Sequence, residues 1–160
     1  MQVSKPDILI LVGTQTGNSE LIADDVAEHL GDRGYSCHVL DMADAFPETL
    51  LDFEQLLVVM CTWAEGTPPD NAKDFFLAFN DVAPDLTGLS FGIIGLGDHD
   101  YDPYFCTASR DLGETLERLG AVRAREDLEL EGVPKQVHFA RARDWSERLA
   151  EALTSSAHQG

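Results

Sequence analysis

The strongest constraint on how this chain can fold is a set of three apolar runs: Ile8-Leu9-Ile10-Leu11-Val12, Leu56-Leu57-Val58-Val59-Met60-Cys61, and residues 89–96. Each is followed by a polar loop containing glycine and then by a helical pattern. A continuous apolar run of strand length, bounded by polar residues, is the pattern of a strand buried on both faces. Leu21, Ile22, Val26, Ala27 and Leu30 recur at helical spacing with Asp24, Asp25, Glu28 and Asp32 opposite, and Gly31 and Gly34 close that helix. Phe75, Phe76 and Phe79 mark a second helix from near Asp70, Leu112, Leu116 and Leu119 a third ending at Gly120, and Trp145, Leu149, Ala152 and Leu153 a fourth. Strands are expected over 35–40 and 121–130, and one helical turn over 48–51. Strand and helix alternate along the whole chain without repeat or linker, and right-handed crossovers then require a parallel sheet covered by helices on both faces. The expectation is one α/β domain over residues 1–160, a doubly wound sheet with its core at 7–153 and a frayed tail at 154–160.

In such sheets ligands bind outside the carboxyl ends of the strands, at the topological switch point. Three unusual loops fall there. The first, Thr14-Gln15-Thr16-Gly17-Asn18-Ser19, offers three hydroxyls, a flexible glycine and the N-terminal N–H groups of the following helix, with no Lys or Arg. It departs from the nucleotide-hydrolysing loop G-x-x-x-x-G-K-[ST] at Asn18 and from the dinucleotide fingerprint G-x-G-x-x-G at Gln15. What remains is a neutral cradle for one terminal phosphate; the alternative is an ordinary strand-to-helix turn capped by Asn18 or Ser19.

The second loop is Thr62-Trp63-Ala64-Glu65-Gly66-Thr67-Pro68-Pro69, and the third is Gly97-Asp98-His99-Asp100-Tyr101-Asp102-Pro103-Tyr104. Trp63 and Tyr101 have no periodicity that would bury them, so each is read as a surface on which a ligand stacks. Two such rings and a phosphate cradle describe a mononucleotide with a large planar head.

A net charge of −18 argues against nucleic acid or an anionic membrane as partner. It suits brief, electrostatically steered encounters with a basic-faced protein, although a solubilising or salt-adapted surface would look the same. Cys37, Cys61 and Cys106 show neither disulfide pairing nor zinc spacing, and the histidines share no ligand spacing with them, so no metal is expected. No apolar run is long enough to cross a bilayer and the first residues lack the pattern of a signal peptide, so a cytoplasmic location is expected.

Three segments carry a resemblance: Gly13-Thr-Gln-Thr-Gly-Asn-Ser-Glu20, Cys61-Thr-Trp-Ala-Glu-Gly-Thr-Pro-Pro-Asp-Asn-Ala72, and Gly95-Leu-Gly-Asp-His-Asp-Tyr101 with Tyr104-Phe-Cys106. Together they resemble the short-chain flavodoxins and are similar to the FMN domains of diflavin reductases, over nearly the whole chain. The resemblance implies a five-stranded sheet of order 2-1-3-4-5 and non-covalently bound FMN. Thr14, Gln15, Thr16, Asn18 and Ser19 would hold the phosphate, and Trp63 and Tyr101 would flank the ring. Backbone near Ala64, Glu65, Asp98 and Cys106 would meet the ring's polar edge, with Gly17, Thr62, Gly66, Gly97, Tyr104 and Phe105 completing the site. Family members commonly carry Gly where this chain has Ala64, at a turn whose freedom Gly66 could supply instead.

The implied role is one-electron transfer between a reductase and redox enzymes, by a monomer with no catalytic residue of its own. Setting the ring close to Glu65, Asp98, Asp100 and Asp102, and far from any Lys or Arg, would make its reduced anion costly and the couple low in potential. Two other roles fit the same residues: a separately encoded FMN subunit of a multi-component reductase, and an interaction module without flavin.

Overall fold

The computed structural model describes residues 7–14, 17–62, 68–69, 72–98 and 106–159, with side chains through 153. Strand β1 is Asp7–Gly13, followed by helix α1 (Asn18–Asp32), β2 (Ser36–Asp41), two short 3₁₀ turns (Met42–Asp44 and Pro47–Asp52), and β3 (Gln55–Cys61). The chain continues through α2 (Lys73–Val82), β4 (Ser90–Gly97), α3 (Thr107–Arg118), β5 (Val122–Arg123), β6 (Leu128–Glu131) and α4 (Gln136–Gln159).

All described strand pairs are parallel, in the order β2-β1-β3-β4, with β5 and β6 sharing the fifth position beside β4. This is the expected order 2-1-3-4-5. The direction of winding reverses between β1 and β3, whose register pairs Leu9 with Leu56 and Gly13 with Met60. The carboxyl ends of these two strands therefore flank the switch point, where such sheets bind ligands.

Side chains alternate across the sheet because successive residues of a strand face opposite sides. Ile8, Ile10 and Val12 join Ile22, Val26 and Leu30 of α1 and Trp145, Leu149 and Leu153 of α4 in one core. Leu9 and Leu11 join Phe75 and Phe79 of α2 and Leu112 and Leu116 of α3 in the other. The approach of α4 is close: a Cβ on Gly92 of β4 would lie 2.6 Å from a methyl of Leu149 and 2.9 Å from the Trp145 ring.

Three expectations change. The strand expected over 121–130 is two short pieces: Ser90 and Phe91 of β4 pair with Val122 and Arg123, pairing resumes at Ile94 with Leu128, and residues 124–127 stand opposite only two β4 residues. Side chains draw this segment out of the ladder. Arg123 pairs with Asp127 and Glu117 and lies 5.2 Å over the Phe91 ring, and the Trp145 indole donates a 2.9 Å hydrogen bond to the Glu126 carbonyl. Helix α2 begins at Lys73 rather than near Asp70. Helical backbone of α4 continues to Gln159, through the stretch read as a tail.

Candidate functional site

At the end of β1 the chain passes through a narrow gap: a Cβ on Gly13 would lie 3.0 Å from Met42 Sδ and 3.1 Å from Met60 Cβ. Thr14 then closes a tight turn by accepting a 2.7 Å hydrogen bond at Oγ1 from the Gly17 N–H. Gly17 sits at φ +90°, in the left-handed region that favours glycine, and is the N-cap of α1 with no side-chain cap bond. The reading of Asn18 or Ser19 as the cap is thereby corrected, since both lie inside the helix as its first two residues.

The Gly17 carbonyl takes the N–H of Leu21 at 3.1 Å, which leaves the earlier N–H groups of α1 without intrahelical partners. Beside them the Ser19 hydroxyl is completely buried and has no hydrogen-bond partner. Leaving a buried hydroxyl unpaired costs about 1–3 kcal/mol. An anion held at the helix N-terminus would give it a partner. Gln15 and Thr16 lie outside the described residues.

The second half of the site is built where β3 and β4 end. Gly97 pairs with Glu131 of β6, and its carbonyl accepts the Gly132 N–H at 2.9 Å; Asp98 follows, half-buried. Thr62, directly after β3, accepts the Ala108 N–H at its Oγ1, 3.0 Å away. Cys106 is fully buried at φ +55° and is the N-cap of α3. Its carbonyl is engaged by the Ser109 hydroxyl at 3.0 Å and the Arg110 N–H at 3.0 Å. Burial, reinforced by the Glu129 carboxylate, pushes the Cys106 thiol up to about 12, so it packs as a neutral group. Trp63, Ala64, Glu65, Gly66, Tyr101, Tyr104 and Phe105 lie outside the described residues.

One cation stands near the candidate residue Cys106: Arg110 lies in the first turn of α3, one helical turn on. It is matched by Glu129 of β6 through two hydrogen bonds, Nε to Oε2 at 2.8 Å and Nη2 to Oε1 at 2.7 Å, which hold its pKa above the ordinary arginine value. The pair is locally neutral. The half-buried Asp127 is similarly matched with Arg123, although burial still raises its carboxyl above the usual carboxylate range.

Several supporting residues escaped the sequence reading. Ala108, Ser109 and Arg110 are consecutive, yet they reach three different places: Thr62 after β3, Gly95 on β4, and Glu129 on β6. The sequence does place Arg110 one helical turn beyond Cys106, which was the available signal.

The family model described as Flavodoxin matches residues 10–157. This chain belongs to the flavodoxin family. It is 33% identical over 157 residues to the sulfite reductase [NADPH] flavoprotein alpha-component of Bacillus subtilis, covering 96% of this chain and 25% of that protein. To NADPH–cytochrome P450 reductase of Rattus norvegicus it is 35% identical over 133 residues, 79% of this chain and 19% of the reductase. The chain thus spans about a quarter or less of these relatives. Among solved structures, a flavodoxin from Streptococcus pneumoniae TIGR4 superposes with a TM-score of 0.80 at 29% identity, covering 94% of this chain and 99% of that one.

Membership of this family implies a flavin. The described residues fit its phosphate end: a helix N-terminus without a side-chain cap, a left-handed glycine before it and a buried hydroxyl lacking a partner are what a phosphate group would complete. Among the described residues, no three or more His, Cys, Asp or Glu side chains are grouped to hold a metal, and no helix is long and apolar enough to cross a membrane.

Proposed function

We propose that this flavodoxin-family chain binds FMN non-covalently and passes single electrons from a reductase to a redox enzyme, at low potential. The observation that carries the reading is the partnerless Ser19 hydroxyl beneath the uncapped N-terminus of α1. A bound flavin supplies reversible one-electron transfer. The chain's own residues bind and tune it. Thr14, Gly17, Asn18 and Ser19, with Gln15 and Thr16, hold the phosphate through neutral donors, so the phosphate keeps its charge. Trp63 and Tyr101 stack on the ring. Asp98 and Glu65 make added negative charge on the ring costly, while the Arg110 and Glu129 pair contributes almost no net field.

The partners in this reading are basic-faced proteins drawn by the charge of −18, met by a monomer in the cytoplasm, where three free thiols stay reduced. A second reading is supported by a specific observation: identity to the reductase flavoproteins, 33–35%, exceeds that to the Streptococcus pneumoniae flavodoxin, 29%. On that reading the chain is the FMN module of a multi-component reductase and works in one fixed complex.

The deciding experiment is the visible spectrum of the purified protein with FMN, followed through anaerobic titration with one-electron equivalents. Shifted flavin bands and two separated stages of reduction are expected. A protein that leaves the FMN spectrum unchanged overturns the proposal. Co-purification with one partner in a stable complex selects the second reading over the first.

A further inference from the structure

The segment between Glu131 and Asp144 contains no Asp or Glu, in a chain with 29 acidic residues. The other acid-free stretches as long, 8–19 and 86–97, run through the buried strands β1 and β4. This one lies at the surface and forms the entry to α4. Val133 and Val137 are 68% and 58% exposed, and Lys135 and Arg141 are exposed as well. The Gly132 N–H is bonded to the Gly97 carbonyl, so the segment starts at the carboxyl ends of β4 and β6, the end of the sheet that carries the candidate site.

Lys135 and Arg141 make no ion pair among the described residues. Their neighbours are already matched: Arg143 donates to Asp25 through two hydrogen bonds of 2.7 and 2.9 Å, and Asp144 is paired with Arg148. Lys135 also stands at the less favourable end of a helix. It lies directly before α4, whose first turn holds no acidic residue, while α1 and α2 begin with Glu20 and Asp74. A cation there opposes the helix dipole. His138 adds a donor, because its Nδ1 accepts the Lys135 N–H at 2.9 Å and the proton of the neutral ring is then on Nε2. Unpaired positive charge placed against the helix dipole, beside two exposed valines, serves no purpose in folding; a local rule broken without a structural gain marks a functional surface.

We propose that Val133, Lys135, Val137, His138 and Arg141 form a docking surface for an acidic segment of a second protein, one in which carboxylates flank an apolar side chain. The carboxylates pair with Lys135, Arg141 and the His138 Nε2–H, and the apolar side chain lies on the valines. Charge complementarity decides the class of partner. A chain of net charge −18 attracts basic faces and repels acidic ones, so an acidic segment is admitted where the acids are missing. Partners of opposite charge then use different faces of one domain. The use of this face in electron exchange rests on the FMN reading above, whereas the face itself does not.

The test titrates isotope-labelled protein, with and without FMN, with an acetylated peptide Glu-Glu-Leu-Glu-Glu-Leu and with its lysine counterpart, and follows the amide resonances. The acidic peptide is expected to move the amides of residues 133–141 saturably, and the lysine peptide to leave them in place. Lys135→Gln combined with Arg141→Gln should weaken the acidic peptide by about fivefold, the order expected for two exposed ion pairs, with an unchanged or higher melting temperature. Val137→Ser should weaken it as well. Shifts that miss residues 133–141, or an affinity indifferent to the double variant, overturn the proposal. So does a lower melting temperature in the double variant, which marks the two cations as structural. Dimerisation in sedimentation that the double variant abolishes also overturns it, since the occupant is then a second copy of this chain. Failure to bind FMN while the acidic peptide still binds overturns the functional reading and leaves the docking surface standing.

Discussion

Ser109 of α3 stands so close to Gly95 of β4 that a Cβ on the glycine would lie 2.5 Å from the serine hydroxyl oxygen and 3.3 Å from its Cβ. Both residues are buried, and Ser109 donates to the carbonyl of Cys106, so the contact fixes where α3 begins relative to the sheet. Gly95→Ala should destabilise the protein by about 1–3 kcal/mol, the cost typical of overpacking a filled site. Adding Ser109→Ala removes the nearest atom and should recover part of that loss, a non-additivity that denaturant unfolding of the single and double variants will show.

The buried, partnerless Ser19 hydroxyl predicts effects of opposite sign in two assays. Ser19→Ala removes an unsatisfied polar group, so the apoprotein should unfold at the same denaturant concentration or a higher one. The same change removes a phosphate donor and should weaken FMN binding by about tenfold to a hundredfold, on the order of one hydrogen bond to a charged group. Thermal melting and fluorescence titration measure the two. Equal losses in both would refute a phosphate-binding role for Ser19.

Two thiols make stability fall at high pH. Burial pushes Cys106 up to about 12 and Cys37 up to about 11, both above the ordinary value of 9.0. Below pH 9 the thiols are protonated whether the chain is folded or not, and their contribution is fully present. Above it the unfolded chain binds fewer protons than the folded one, so stability declines until each folded pKa is passed. Urea midpoints at pH 8 and pH 10.5 should show the decline, and Cys106→Ala should reduce it. Alkylation of native protein at pH 8.5 should be much slower than of protein in urea.

Charge repulsion predicts that salt acts oppositely on stability and on encounter. At a net charge of −18, screening should raise the melting temperature between 0.02 M and 0.5 M NaCl. Electron exchange with a basic redox protein such as a cytochrome c should slow over the same range. A melting temperature that does not respond would show that the acidic side chains are already well spaced or paired.

The layered fold could be read from the sequence because β1, β3 and β4 are buried on both faces and so appear as unbroken apolar runs. The fifth strand was misjudged for a reason no local pattern contains. The break at residues 124–127 depends on Arg123 meeting Glu117 and Phe91, and on a Trp145 indole arriving from a helix some twenty residues away. At the site, Gly17 and Ser19 were visible as loop composition, but their roles were not. Which residue caps α1 depends on a backbone angle, and Ser19 is buried because of what packs around it. Likewise Thr62 could be placed beside Trp63, while its bond to Ala108, 46 residues on, belongs to the tertiary structure.

The interruption between β5 and β6 also governs what the outer edge of the sheet can accept. A neighbouring chain would need a straight row of free N–H and C=O groups to extend the sheet. It would meet only two residues of ladder, then the displaced segment 124–127, then four more residues carrying the acidic Glu129 and Glu131. Kinked and acidic in this way, this margin offers strand addition from a neighbouring chain only a broken template.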